Sequence, residues 1–543
     1  MKEEDVMNKR SLPLLLLAIA ITAAAASGCK DTTAERSGSG EEGEAAVKAK
    51  VSPYPAALSY WVPMNANVAA TMDSFAEIGV YREMERLTGT KVDFQHSPMG
   101  QDKDQFHLMI ASGKLPDVIE YSWSGVTKGP DNAIKENRII RLNELVEKFA
   151  PNLSKVLRDN PEFRQLVLSD EGNLYMFPSF TPDPGSLVYN GLAIRQDWLD
   201  RLGLPMPATL PEWERTLTAF RDMDPNGNGR KDEIPLLLDL KVMNTGHALI
   251  GAYGITTGFY NDSGEVKYGP VDPRFKELLI VMNRWYKEGL IDKDYATVDQ
   301  KLKDAKMTEG IVGAMAMNIG YGIGTYTSAM AQVDPDFRLE GAPYPSLEPG
   351  GTSIGQMAYS FNGRGAAISA SAENPEKIVR WLDYAYGEAG QLLFNFGIEG
   401  ESYTLKDGYP TFSDTVVNNS GKLGVGYAMT RYARGAFAGP YISDKRFNEQ
   451  YMSMPQQTRA VAVWSKADHA RLLPPLTQNS AESVKITAMM NDIQAYYEDR
   501  VNKFIMGVEP LEQFDNFTAS IRRMGIDEVL RMKQAALDRF MKR

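Results

Sequence analysis

Between residues 57 and 123, short apolar runs alternate with helical patterns, and this alternation restricts the chain more than any other feature. Residues 57–61 (ALSYW) form a run suited to a first buried strand. Ile78, Tyr81, Met84 and Leu87 then recur at helical spacing, predicting a helix over 74–88 with Gly89 as its stop. Residues 91–95 alternate like a second strand, and Phe106, Met109 and Ile110 mark a helix ending at Gly113. Residues 116–123 supply a third strand, whose end carries Tyr121 and Trp123. Strands separated by helices pack as an α/β lobe with a largely parallel sheet. The chain has 543 residues, too many for one compact domain, so a second lobe is expected.

The remainder is richer in helix, predicted over 212–222, 273–288, 374–386, 481–504 and 526–541. Residues 311–317 (IVGAMAM) read as another buried strand. No repeat and no Pro-rich or charged linker divides 51–543, so the lobes are expected to interleave.

The first fifty residues read as an address. Lys9 and Arg10 precede an apolar stretch over 12–26, followed by Ser27, Gly28 and Cys29. A basic region, a short apolar core and small residues before a cut site describe an export signal over 1–28. The stretch falls short of the roughly 20 residues that span a bilayer. Ala26-Ser-Gly-Cys29 resembles a bacterial lipobox, although the motif prefers Leu where Ala26 stands. The resemblance implies lipidation at Cys29 and anchoring to the membrane through that residue. Residues 29–50, rich in Ser, Gly, Glu and Ala, cannot bury enough apolar surface to fold and read as a tether.

Composition removes several functions. A formal net charge of −11 argues against nucleic-acid partners. Cys29 is the single cysteine, which excludes disulfide frameworks and Cys-rich zinc sites. Four scattered histidines include no H-E-x-x-H pair.

The most specific chemical signal is DMDPNGNGRKDEIP over 222–235. Counting from Asp224, side-chain oxygens fall at positions 1, 3, 5, 9 and 10: Asp224, Asn226, Asn228, Asp232 and Glu233. Gly229 stands at position 6, and the carbonyl of Arg230 at position 7 completes the shell. Alternating oxygens around a tight glycine turn wrap calcium. Pro235 holds position 12, so Glu233 must replace the late bidentate carboxylate. Asp, Asn and Gly also build plain turns. No catalytic group stands nearby, so the expected role of the ion is structural.

Further segments carry a family resemblance. Residues 111–119 (ASGKLPDVI), 194–204 (IRQDWLDRLGL) with Pro207 and Thr209, 397–403 (GIEGESY), and 510–515 with 524–527 resemble elements of extracellular sugar-binding proteins. The likeness is to large Gram-positive oligosaccharide-binding lipoproteins and alginate-oligosaccharide binders. It implies an α/β fold of the periplasmic-binding-protein type II: two interleaved lobes with a ligand cleft and hinge, plus extra C-terminal helices. One lobe is expected over 51–180 with a returning segment near 365–430, and the other over 190–360 with much of 431–543. The implied function is carbohydrate capture at the extracellular face of the cell membrane and delivery to the permease subunits of an ABC transporter, with no catalysis; a monomer is the default expectation.

In open α/β sheets ligands lie beyond the carboxyl ends of strands. Trp61, Tyr121, Trp123 and Tyr321 follow predicted strands and are candidate stacking platforms for sugar faces. Asn318 and Glu399 are candidates for hydroxyls, with Tyr403 and Trp464 as further platforms. Most aromatic residues pack in cores instead. Arg431, Arg434 and Lys445 suit either an acidic oligosaccharide or a solvated face. The rival class is a glycoside hydrolase or lyase, which needs two flanking carboxylates. Gly351-Thr-Ser353-Ile-Gly355 matches G-x-S-x-G with His469 downstream, but no apolar strand precedes it. Gly320-Tyr-Gly-Ile-Gly324 lacks the third glycine and the acidic follower of a dinucleotide site.

Overall fold

The chain runs through β1 (Ala57–Trp61), β2 (Lys91–Gln95), β3 (Val118–Ser122), β4 (Phe177–Phe180), β5 (Asn190–Arg195) and β6 (Ile234–Leu237). The hairpin β7 (Phe259–Asp262) and β8 (Glu265–Tyr268) follows, then β9 (Val312–Asn318), β10 (Leu339–Gly341) and β11 (Phe361–Ile368). A second hairpin, β12 (Tyr403–Lys406) and β13 (Tyr409–Phe412), completes the strands. This computed structural model describes residues 52–419, 424–435 and 438–543. The expected export signal, Cys29 anchor and tether lie outside the described residues.

Two sheets organise these strands. The first has the order β2-β1-β3-β11-β4 and the second β10-β5-β9-β6. In the first, β1 pairs in parallel with β2 and β3, while β11 runs antiparallel to β3 and β4. In the second, β5 runs antiparallel to β9 and β10, while β6 and β9 are parallel. The chain therefore changes sheet between β4 and β5 and again between β10 and β11. The strand entering after each change is the reversed one in its new sheet.

Alternating side chains of the second sheet feed separate cores. Leu192, Ile194, Leu236, Ala314 and Ala316 join Trp198, Trp213, Phe220 and Trp285 on one face. Ala193, Leu237, Met315 and Met317 join Trp464 on the other. A sheet buried on both faces needs near-continuous apolar strands, which explains the IVGAMAM run. The core around the first sheet holds Tyr60, Trp123, Phe177, Phe361 and Trp381.

The helix expected over 74–88 is split. Phe75–Glu77 is a 3-10 turn closed by a Ser74–Glu77 capping box, and the α-helix spans Gly79–Thr88. Ile78 is extended between them (φ −71°, ψ 133°). The amides of Gly79 and Val80 donate to the carbonyls of Arg431 and Tyr432, at 2.8 Å each, so tertiary partners take the first donors of the helix. The third strand ends at Ser122, where Trp123 opens a 3-10 turn.

The C-terminal helices join both cores. Ile526 and Val529, at the start of Ile526–Phe540, are buried in the second lobe's core, and Ala536, Leu537 and Phe540, at its end, in the first. Arg539 pairs with Asp170 and Glu482, each at 2.6 Å, and Arg543 also pairs with Asp170. Among the described residues, no helix is long and apolar enough to cross a membrane.

Candidate functional site

Two cavities open beyond the carboxyl ends of the strands, both bordered by the short helix Ala66–Ala69. The first, of about 340 Å³, is lined by Val62 to Ala66 after β1, Ser97 to Gly100 after β2, and Glu120 and Tyr121 on β3. Asn362 and Arg364 reach it from β11. They owe that position to Gly363, which sits at φ +82° beside a register shift between Phe361 and Gly365. A glycine-centred irregularity of this kind turns a strand's side chains away from the regular pleat.

The second cavity, of about 610 Å³, takes Asn67 from the first lobe and Asn318, Gly320, Gly324 and Thr325 from the end of β9. Its remaining walls come from Ser328 and Ala329 and from residues within 424–427 and 451–457. Ile319–Gly324 is a single π-helical turn, capped by the Asn318 side chain accepting from the Gly320 amide at 2.8 Å. Such turns recur at functional sites because they widen the backbone locally. Here the space admits Tyr451: a Cβ on Gly320 would stand 2.4 Å from its hydroxyl, and one on Gly426 2.7 Å from its ring. Gln457, fully buried, donates to the Ile319 carbonyl at 3.0 Å and holds the turn in place.

Behind the first cavity lies a buried charge network. Arg434 donates to both carboxylate oxygens of Glu120, at 2.6 and 3.2 Å, and to the Ala438 carbonyl and the Tyr81 hydroxyl. Tyr60 donates its hydroxyl to Glu120 at 2.8 Å. Burial, and then the Glu120 carboxylate, push the Tyr60 hydroxyl well above its usual pKa, so it stays a donor. The guanidinium also lies over the Phe75 ring, 5.1 Å from its centroid. This network ties Arg434 and Ala438, which wall the first cavity, to the first sheet. Its sequence signal was slight: Arg434 and Glu120 are 314 positions apart.

The predicted ligand residues divide. Trp61, Tyr121 and Trp123 do come together around Phe106, with Tyr121 stacked on that ring at 4.0 Å. Only Tyr121 lines the first cavity; Trp61 is 6% exposed, and Trp123 is fully buried with its indole N–H on the Ile119 carbonyl. Asn318 lines the second cavity, and the Tyr321 side chain lies outside the described residues. Trp464 packs flat against Gly191, its N–H shared by the Leu192 and Ala342 carbonyls at 3.1 Å, so it is a core residue. Tyr403 is buried in a separate cluster with Phe396 and Phe412, and Glu399 is exposed on the turn leading into β12. Neither lines either cavity. Arg431 and Lys445 are exposed, whereas Arg434 is consumed by Glu120 and is no free cation.

The loop at 224–233 is a tight coil, with Asp224, Gly227 and Gly229 at positive φ. Asp224 accepts from the amides of Asn228 and Gly229 at 3.1 and 3.0 Å, Asn226 from that of Asn228 at 3.0 Å, and Asn228 from that of Arg230 at 2.7 Å. The amide groups of Asn226 and Asn228 both donate to Asp232. Glu233 keeps a buried oxygen without a partner. Burial, followed by the charges of Asp224 and Asp232, raises its carboxyl above the ordinary pKa. Among the described residues, no three His, Cys, Asp or Glu side chains are gathered tightly enough to hold a metal by themselves. The donor set fits an oxygen-seeking cation only with the Asn226 and Asn228 side-chain oxygens and a carbonyl added.

Ser353 and His469 run on neighbouring segments, bridged at Ile354 and Asp468. Neither side chain bonds the other: Ser353 Oγ and His469 Nε2 are both buried without a partner, so the serine–histidine hydrogen bond of a hydrolase is not formed between them.

The model for bacterial extracellular solute-binding proteins matches residues 65–392. The fructooligosaccharide ABC transporter substrate-binding protein FusA of Streptococcus pneumoniae serotype 4 is 27% identical over 340 residues, 59% of this chain. That match spans 60% of the relative's length. Lipoprotein LipO of Bacillus subtilis is 24% identical, covering 83% of this chain and 87% of its own. The B. subtilis polygalacturonan/rhamnogalacturonan-binding protein YtcQ is 26% identical, covering 73% and 74%. Among solved structures, alginate-binding protein AlgQ2 without calcium ion superposes with a TM-score of 0.72 at 23% identity, over 89% of this chain and 98% of that one. An EF-hand mutant of FusA with fructo-nystose gives 0.72 at 20% identity, over 90% and 99%. The fold is thus the expected type II arrangement of two α/β lobes.

Proposed function

We propose, from the premise that the chain belongs to the bacterial extracellular solute-binding protein family, that it captures an oligosaccharide outside the cell and delivers it to the permease of an ABC transporter. The observation carrying this reading is the second cavity, whose walls come from both lobes: Asn67 from one, Asn318 to Thr325 from the other. A ligand seated there contacts the two lobes at once and favours whichever arrangement brings them together. The related proteins named for fructooligosaccharide and polygalacturonan binding support a sugar as occupant.

Binding without turnover is part of the proposal. Both oxygens of Glu120 are engaged by Arg434 and Tyr60, which leaves Asp102 as the only unengaged carboxylate lining the first cavity among the described residues. The second cavity has no described carboxylate lining it. A glycosidase needs two acting carboxylates across one bond. Calcium in the 224–233 loop, held by Asp224, Asn226, Asn228, Asp232, Glu233 and the Arg230 carbonyl, would fix a surface turn remote from any catalytic group. The related structures described as lacking calcium or as an EF-hand mutant support that assignment. Lipid attachment at Cys29 would hold the protein at the extracellular face of the membrane, in keeping with the lipoprotein relative.

The test is thermal unfolding against a panel of plant, algal and fructan oligosaccharides, with chromatography of each sugar afterwards. A stabilising sugar recovered intact is the expected result. Cleavage of that sugar overturns the binding-only reading.

A further inference from the structure

The charge on the cavity walls distinguishes between two kinds of sugar. The relatives include one named for a fructooligosaccharide, which is neutral, and one named for polygalacturonan, which carries a carboxylate on each galacturonate unit. We propose that the occupant of this cleft is a neutral oligosaccharide, and that uronate chains are rejected; this rests on the oligosaccharide-binding reading above.

The first observation is the larger cavity. Its polar side chains, among them Asn67, Asn318, Thr325, Tyr427, Tyr451 and Gln457, are all uncharged, and among the described residues no Lys, Arg or His lines it. Hydroxyl groups find donors and acceptors there. A carboxylate finds only neutral partners, and leaving it without a charged one costs far more than a hydroxyl does.

The smaller cavity does not make up the difference. Of its two guanidinium groups, Arg434 is fully buried and bidentate on Glu120. Arg364 is exposed on β11 and has no carboxylate within ion-pair distance among the described residues, so it is available. Asp102 lines the same cavity, also without an ion-pair partner, and opposes a second carboxylate. One free cation set against one free anion gives no net attraction for a polyanion, whereas a uronate chain brings a negative charge on each unit. Asp102 and Arg364, with Asn65 and Asn362 beside them, instead offer an acceptor and a donor to the hydroxyls of one sugar unit.

An independent observation acts at long range. The formal net charge is −11, so the field of the whole protein slows the approach of an anionic oligomer and leaves a neutral one unaffected.

The experiment is titration calorimetry on the calcium-loaded protein with four-unit probes of matched length: fructo-, xylo-, manno- and gluco-oligosaccharides against tetragalacturonate and an alginate tetramer. At least one neutral probe should bind at least about 100-fold more tightly than either uronate, a gap of roughly 2.7 kcal/mol. Its affinity should change less than about twofold between 50 and 500 mM NaCl, because no charge pair forms. A uronate probe that binds best, or an affinity that falls steeply with salt, overturns the neutral assignment and leaves oligosaccharide capture standing. Binding by no probe of either class overturns both.

Discussion

Replacing Arg434 with Met should cost this fold about 3–5 kcal/mol, although the two side chains are similar in length. The guanidinium is 1% exposed and faces Glu120, itself 6% exposed, across 2.6 Å. Removing it leaves a carboxylate away from water with the Tyr60 hydroxyl as its one remaining side-chain donor. Glu120→Gln makes the complementary error, stranding a buried guanidinium at similar cost. The double variant Arg434→Met with Glu120→Gln removes both charges, and its loss should be about 1–2 kcal/mol, that of the remaining hydrogen bonds. The cycle is therefore strongly non-additive, the double variant being more stable than either single one. Urea unfolding followed by tryptophan fluorescence reads all four proteins, with the denaturant slope checked for constancy. If the double variant loses as much as the two single ones added together, the pair is not a coupled buried unit and the reasoning fails. The same variants should weaken sugar binding, because the network holds Arg434 and Ala438 in the wall of the first cavity.

Gly320→Ala places a methyl 2.4 Å from the Tyr451 hydroxyl and should lower sugar affinity at least about tenfold, while Gly350→Ala, an open left-handed position away from the cavities, should leave affinity unchanged. Calcium at about 100 times its dissociation constant should stabilise the protein by roughly 2.7 kcal/mol, seen as a chelator-reversible rise in Tm, and Asp224→Ala should abolish that rise. His247 has its pKa lowered to about 4 by burial, against 6.5 in the unfolded chain. The unfolded state therefore binds this proton first: the contribution is complete above pH 6.5, falls as pH drops towards about 4, and is at most about 3 kcal/mol. His247→Gln should flatten that part of the stability profile in urea titrations at successive pH values.

Periodicity found the elements whose neighbours are local. The run at 57–61, the helix ending at Gly113 and the IVGAMAM strand lie where the pattern put them, because a two- or 3.6-residue repeat is written in consecutive residues. The 74–88 stretch departs from its helical pattern at Ile78 because the next two amides bond to the carbonyls of residues 431 and 432, which periodicity does not record. Trp464 and Trp123 carry the same chemistry as a sugar platform. What makes them core residues is the close backbone of Gly191 in one case and the rings of the first lobe in the other.

The sequence by itself determined an α/β architecture, an oxygen-rich loop at 224–233 and the family motifs, all of which depend on spacing along the chain. Tertiary structure alone decided which residues face the ligand. It brought Asn67 opposite Asn318, made room for Tyr451 between Gly320 and Gly426, and joined Arg434 to Glu120. A cleft between interleaved lobes is assembled from segments hundreds of positions apart, and local spacing carries no record of which of them meet.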